Sequence, residues 1–125
     1  MKFIQTDDAP APVGPYSQAV EANGFLFLSG QLGVDPVTGE MATDIRGQTA
    51  QVFSNLGAVL AGAGLGPGDV IKVNAFLADM DDFKAFNDIY SDFFGEHRPA
   101  RAAVQVARLP LDGLVEVEAV ARTRE

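Results

Sequence analysis

Pro99-Ala100-Arg101-Ala102-Ala103-Val104-Gln105-Val106-Ala107-Arg108-Leu109-Pro110 is followed closely by Val115-Glu116-Val117-Glu118-Ala119-Val120-Ala121. Both segments alternate with the period of a strand. The short Leu111-Asp112-Gly113 link between them predicts an antiparallel hairpin. On the second strand Val115, Val117 and Ala119 point one way and Glu116 and Glu118 the other. On the first, Arg101, Ala103 and Gln105 share a face. The hairpin would therefore display an arginine and two carboxylates on one rigid backbone. Arginine is a forked donor suited to a substrate carboxylate. A glutamate beside it can orient or deprotonate a water. An ordinary amphipathic strand, with Glu116 and Glu118 in solvent, has the same pattern.

The chain has 125 residues, the size of one domain, and 47% of them are hydrophobic, enough for a real core. Its net charge of -8 comes with no cluster of Lys and Arg, which argues against nucleic acid as the main partner. The absence of cysteine excludes disulfides, thiol nucleophiles and Cys-ligated metals. The single histidine, His97, makes no metal site by itself and is expected to be a loop residue. The N-terminus turns acidic at Asp7-Asp8 without an apolar run, unlike a signal peptide, and no apolar stretch is long enough to span a membrane. A cytoplasmic location and no membrane partner are the expectation.

Working back from the C-terminal strands, Phe83, Phe86, Ile89, Tyr90 and Phe93 mark the buried side of a helix capped by Asp81 or Asp82. Asp69 to Leu77 reads as a strand. Ile45, Thr49, Val52, Phe53, Leu56, Val59, Leu60 and Ala63 form one stripe of a longer helix, capped by Asp44 and ended by Gly64. Ser17 to Glu21 and Phe25 to Gln31 read as strands joined at Ala22-Asn23-Gly24, a hairpin signal. Lys2 to Thr6 is a candidate edge strand, and the proline-rich Asp7 to Pro15 a loop. Two helices and about six strands predict an α+β two-layer sandwich, with both helices on one face of a mixed sheet. The other face is expected to carry Arg101, Ala103, Gln105, Glu116 and Glu118, with Lys72, Asn74 and Phe76. A face of that mixture suits contact with another subunit and a cleft at that contact.

Gly14-Pro15-Tyr16-Ser17-Gln18-Ala19, Leu28-Ser29-Gly30-Gln31, Asp35-Pro36-Val37-Thr38-Gly39-Glu40, Phe83-Lys84-Ala85-Phe86-Asn87-Asp88-Ile89-Tyr90, Pro99-Ala100-Arg101 and Val115-Glu116-Val117-Glu118-Ala119 occur in order along the chain. In this order and spacing the whole chain resembles the RidA (YjgF-type) family of enamine/imine deaminases. The resemblance implies one domain over residues 1–125 with a chorismate-mutase-like fold, and a homotrimer with a cleft between each pair of subunits. It implies hydrolysis of reactive 2-imino acids, the tautomers of 2-aminoacrylate and 2-aminocrotonate, to 2-keto acids and ammonia, with no metal or organic cofactor.

Carried onto this chain, the resemblance makes Arg101 the clamp for the substrate carboxylate and Glu116 the residue that holds the attacking water. Tyr16 would line the cleft from the N-terminal loop. Ser29 and Gly30 would sit at the cleft, Gly30 through its backbone, and Asn87 would reach the site from the second helix. Glu118 is expected to be structural, or paired with an arginine at the interface. Many such deaminases carry cysteine two residues after the arginine. Here that residue is Ala103, which retains only its backbone amide. The segment Gly95-Glu96-His97-Arg98 is also shorter than in typical deaminases of the group. Ser29 has no G-x-S-x-G elbow and no histidine to activate it, so it is not read as a nucleophile. Two other functions fit the same residues: a trimeric module that binds a small carboxylate without turnover, and a deaminase for a pathway-specific enamine.

Overall fold

Asp44 stands just before the apolar stripe, and its side chain accepts a hydrogen bond from Gly47 N at 3.2 Å, so helix α1 (Ile45–Gly62) starts where a short polar cap is available. It stops in a Schellman motif. Leu65 N donates to Leu60 O and Gly64 N to Ala61 O, with Gly64 at φ 75°. In the computed structural model, which describes residues 1–124, the remaining elements are β1 (Lys2–Ile4), β2 (Ala19–Ala22), β3 (Phe25–Leu32), β4 (Val70–Leu77), α2 (Phe83–Phe94), β5 (Ala100–Gln105) and β6 (Val115–Arg122). Asn23 and Gly24, both at positive φ, form the two-residue turn between β2 and β3, as the Asn-Gly pair predicts. The first turn before α2 is capped by Asp79, which accepts from Asp81 N at 2.8 Å; Asp82, at the expected N-cap position, makes no side-chain cap bond.

The two helices pack against a six-stranded mixed sheet of order β1-β2-β3-β6-β4-β5. Val73, Ala75 and Leu77 of β4, Val115, Val117 and Ala121 of β6, and Leu26 and Leu28 of β3 are buried with Val52, Phe53, Leu56, Val59, Phe86 and Phe94 of the helices in one apolar cluster. Phe53 is the hub between the helices, with its ring 4.9 Å from Phe93, 5.7 Å from Tyr90 and 5.9 Å from Phe86. The residues that alternate with the buried ones, Lys72, Asn74 and Phe76 on β4 and Glu116, Glu118 and Val120 on β6, lie on the sheet's other face, as expected.

The C-terminal hairpin does not form. β5 ends at Gln105, not Pro110, and lies beside β4, parallel to it; β6 lies on the other side of β4, antiparallel. The physical reason is the connection β4–α2–β5. A strand that leaves through a helix returns parallel to its predecessor. β5 therefore takes the outer edge of β4, and β6 inserts between β4 and β3. Residues 106–114 carry the chain across the end of the sheet. Val106 N donates to Leu77 O at 2.9 Å, and a short 3-10 turn follows at Pro110–Asp112 with Leu111 and Asp112 at positive φ.

That topology reverses one expectation. Arg101 is in register with Val73 and Ala103 with Ala75, both buried beneath the helices. Register partners point to the same side of a sheet. Arg101, Ala103 and Gln105 are thus on the helix-covered face, and not on the open face with Glu116 and Glu118.

Candidate active site in two halves

On β3 the pairing jumps from Leu28–Ala119 to Gln31–Val117, so Ser29 and Gly30 together oppose Glu118. This β-bulge re-aims the strand at the point where two predicted site residues stand. Ser29 Oγ donates to Ser17 O at 2.6 Å, which ties the bulge to the segment entering β2 and leaves the hydroxyl with a structural task. Gly30 presents bare backbone to Glu116. A Cβ built there would lie 2.9 Å from Glu116 Oε2 and 3.0 Å from its Cδ, so only glycine leaves the carboxylate where it is.

Glu116 and the bulge border a cavity of about 660 Å³. Its wall is completed by the proline-rich N-terminal loop with Tyr16, and by Pro110 and Leu111 of the crossing segment. Partial burial pushes the Glu116 carboxyl above the ordinary glutamate range, and the negative charge of Glu118 adds to the shift. No cation lies within salt-bridge distance of it among the described residues. The loop is held by Gln18, which is 1% exposed: its Oε1 accepts from Thr6 N at 2.8 Å and its Nε2 donates to Thr6 O and Pro10 O, each at 3.0 Å.

The second group of site residues is on the opposite face, at the β5 edge. Arg101 Nη1 donates to Asn87 Oδ1 at 2.7 Å. The guanidinium carbon lies 4.7 Å from the ring centre of Tyr90 and 5.3 Å from that of Phe83. Arg101, Asn87 and Tyr90 line a smaller cavity of about 320 Å³ with Ser91, Arg98 and Pro99. Ala103, one register step along on the same face, packs against the apolar core. The structure thus brings together Tyr16, Ser29, Gly30 and Glu116 in one place and Arg101 and Asn87 in another. It does not bring the two groups together within one chain.

A third concavity holds His97, Asp69 and Arg124. Arg124 Nη2 donates to Asp69 Oδ2 at 2.6 Å and holds that carboxyl below its ordinary range. His97 Nε2 is 2.6 Å from Val70 O, a loop-to-strand tie in keeping with a loop histidine. Among the described residues no three His, Asp or Glu side chains are grouped as a metal site, and no helix is long and apolar enough to cross a membrane.

Residues 6–123 match the family model described as Endoribonuclease L-PSP. The chain belongs to the RidA/YjgF family. Among RidA/YjgF relatives, a RutC family protein of Pyrococcus horikoshii is 53% identical over 121 residues, covering 96% of each chain. A 2-iminobutanoate/2-iminopropanoate deaminase of Salmonella typhimurium is 44% identical over 126 residues, covering 98% of each. The crystal structure of Escherichia coli TdcF with bound serine superposes with a TM-score of 0.96 at 42% identity, covering 99% of this chain and 100% of that one.

Within this RidA/YjgF chain, sequence reasoning missed three contributors to the two half-sites. Tyr90 and Phe83 read as plain core, because aromatic residues at helical spacing usually are. Their spacing with Asn87 was the available signal: 83, 87 and 90 share a helix face. Gln18 gave only the signal of a polar residue at the start of a strand.

Proposed function

We propose that this chain hydrolyses reactive 2-imino acids and their enamine tautomers to 2-keto acids and ammonia, as a homotrimer whose clefts each combine two subunits. One observation carries the reading: an unpaired carboxylate, Glu116, fixed against the Gly30 backbone in a largely apolar cavity. Such a group can accept a proton from a water held beside it. Arg101, lying over two aromatic rings and bonded to Asn87, supplies the carboxylate clamp. Since these lie on opposite faces of the sheet, the clamp that meets Glu116 belongs to a neighbouring copy. The name of the Salmonella relative and the serine held by TdcF support an imine substrate and a small amino-acid-like ligand.

In this reading water adds to C2 of the imine. Glu116 accepts the water's proton and passes it to the imine nitrogen. The resulting carbinolamine gives its hydroxyl proton to Glu116, which returns it to the amino nitrogen; the C–N bond breaks, ammonia leaves and the C2 carbonyl forms. Gly30 and Ser29 shape the wall on which the water sits, and Tyr16 closes the cleft from the loop. The Ala103 amide remains as a donor near the clamp.

The test generates 2-iminopropanoate and 2-iminobutanoate in situ with an amino acid oxidase and traps the surviving imine with semicarbazide. Wild type is expected to reduce the trapped fraction, and Arg101→Ala and Glu116→Gln to lose most of that effect while remaining folded. Full turnover by Arg101→Ala would overturn the assigned site. Absence of turnover by folded wild type, with keto-acid affinity untouched in Glu116→Gln, would identify a binding module instead.

A further inference from the structure

Phe83, Asn87 and Tyr90 stand at i, i+4 and i+7 of α2, one face of the helix, and that face is turned to Arg101 on the edge strand β5. A guanidinium has two aromatic-seeking faces and an edge of five N–H donors. Here the guanidinium carbon lies over the Tyr90 and Phe83 rings, 4.7 and 5.3 Å from their centres and within cation–π range. Asn87 takes one donor, Nη1. The Arg101 side chain makes no other hydrogen bond among the described residues. Arg101 lines the cavity of about 320 Å³ beside it.

The Tyr90 hydroxyl narrows the interpretation. Tyr90 is 7% exposed and its hydroxyl is buried without a hydrogen-bond partner. A buried phenol with no partner contributes through its ring and not through its oxygen. Burial accordingly holds the phenol above its ordinary pKa, so it has no role as an ion near neutral pH.

We propose that Tyr90 and Phe83 are positioning residues of the carboxylate clamp: they hold the Arg101 guanidinium in one plane, so that the fork is preorganised before a 2-imino acid arrives. The inference rests on the reading of Arg101 as that clamp. An arginine free to sample rotamers loses that freedom on binding; one already stacked does not. The lost term falls equally on the ground state and the transition state, since the substrate carboxylate is bound in both. KM changes and kcat does not.

The experiment compares Tyr90→Leu, Phe83→Leu and Tyr90→Phe with wild type in two readouts. The first is steady-state hydrolysis of 2-iminopropanoate. Tyr90→Leu is expected to raise KM about fivefold to tenfold with kcat within about twofold, Phe83→Leu to raise it about threefold, and Tyr90→Phe to rescue KM by restoring the ring. The second is independent of turnover: nitrogen-15 NMR of the Arg101 guanidinium, whose rotation about Nε–Cζ is expected to be slow in wild type and Tyr90→Phe and fast in Tyr90→Leu. Should Tyr90→Leu not fold, Phe83→Leu at the half-buried edge carries both readouts. The proposal is overturned if the leucine variants keep wild-type KM and slow rotation, or if Tyr90→Phe raises KM as much as Tyr90→Leu. If wild type shows no turnover, the proposed reaction falls and the NMR readout alone decides whether the rings hold the guanidinium.

Discussion

Arg101 and Glu116 lie on opposite faces of one sheet, on β5 and β6, with β4 between their strands. A strand's side chains pass through no sheet, so the two groups of one chain cannot meet on one ligand. Two copies can. Arg101→Ala and Glu116→Gln chains, each inactive alone, are therefore expected to complement when unfolded together and refolded. In random 1:1 assemblies each cleft has about one chance in four of receiving both intact groups, so activity should return to about a quarter of wild type. A mixture as inactive as its components would place both groups in the same subunit's site or remove one of them from it.

Gly30→Ala is expected to cut kcat/KM by about a hundredfold with little loss of stability. The added Cβ would stand 2.9 Å from Glu116 Oε2, which must swing away. Displacing a catalytic group by about 1 Å has this order of effect. Gly30 is not at positive φ among the described residues, so the backbone itself accepts alanine. Thermal melting alongside the imine assay separates the two effects; wild-type turnover would show that Glu116 does not need its observed position.

Burial and Glu118 both raise the Glu116 carboxyl above its ordinary range. Between the ordinary and the raised value the native chain binds more protons than the unfolded chain. The stability contributed by neutral Glu116 is therefore complete below that window and is lost as pH rises through it. Glu116→Gln should gain stability on wild type across the same window and show no relative gain below it. Glu118→Gln, which removes the like charge, should move the acid limb of the pH–kcat/KM profile to lower pH. Denaturant titrations and rate profiles at matched ionic strength check the two signs.

Phe53→Ala should cost about 3–5 kcal/mol, measured by urea unfolding. Its ring is 2% exposed and touches Phe86, Tyr90, Phe93 and Phe94 at ring separations from 4.9 to 6.1 Å. No single neighbour can fill that space.

Gln18→Leu should loosen the cavity's loop wall more than the core. It removes the partners of Thr6 N, Thr6 O and Pro10 O together, at a cost of about 3 kcal/mol. Amide exchange is expected to speed up first in residues 6–16. Uniform acceleration across the sheet would show instead that the loop and core open as one unit.

The elements were legible because their signals are local. Asp44, the apolar stripe and Gly64 bound α1 within the reach of one helix turn, and Asn23-Gly24 has the backbone freedom that a two-residue hairpin needs. The site residues were legible as types: a forked cation and an unpaired carboxylate. Their grouping was not. The period-two pattern of Ala100–Gln105 correctly paired Arg101 with Ala103 and Gln105. It did not say which face of the sheet that side would meet, because the pattern is symmetric between faces until a neighbour strand is chosen.

By itself the sequence determined the helix and strand content, the two-layer α+β class, and the alternation that turns Glu116 and Glu118 away from the core. Each follows from periodicity, caps and turn chemistry, which act over a few residues. Only the tertiary structure decided that β6 inserts between β3 and β4, that Arg101 therefore rests on Phe83 and Tyr90 under α2, and that Glu116 lies against Gly30 on the far side. Those choices depend on which distant segments pair to bury the core. No local signal encodes that pairing, and the short link at Leu111-Asp112-Gly113 pointed to the wrong neighbour.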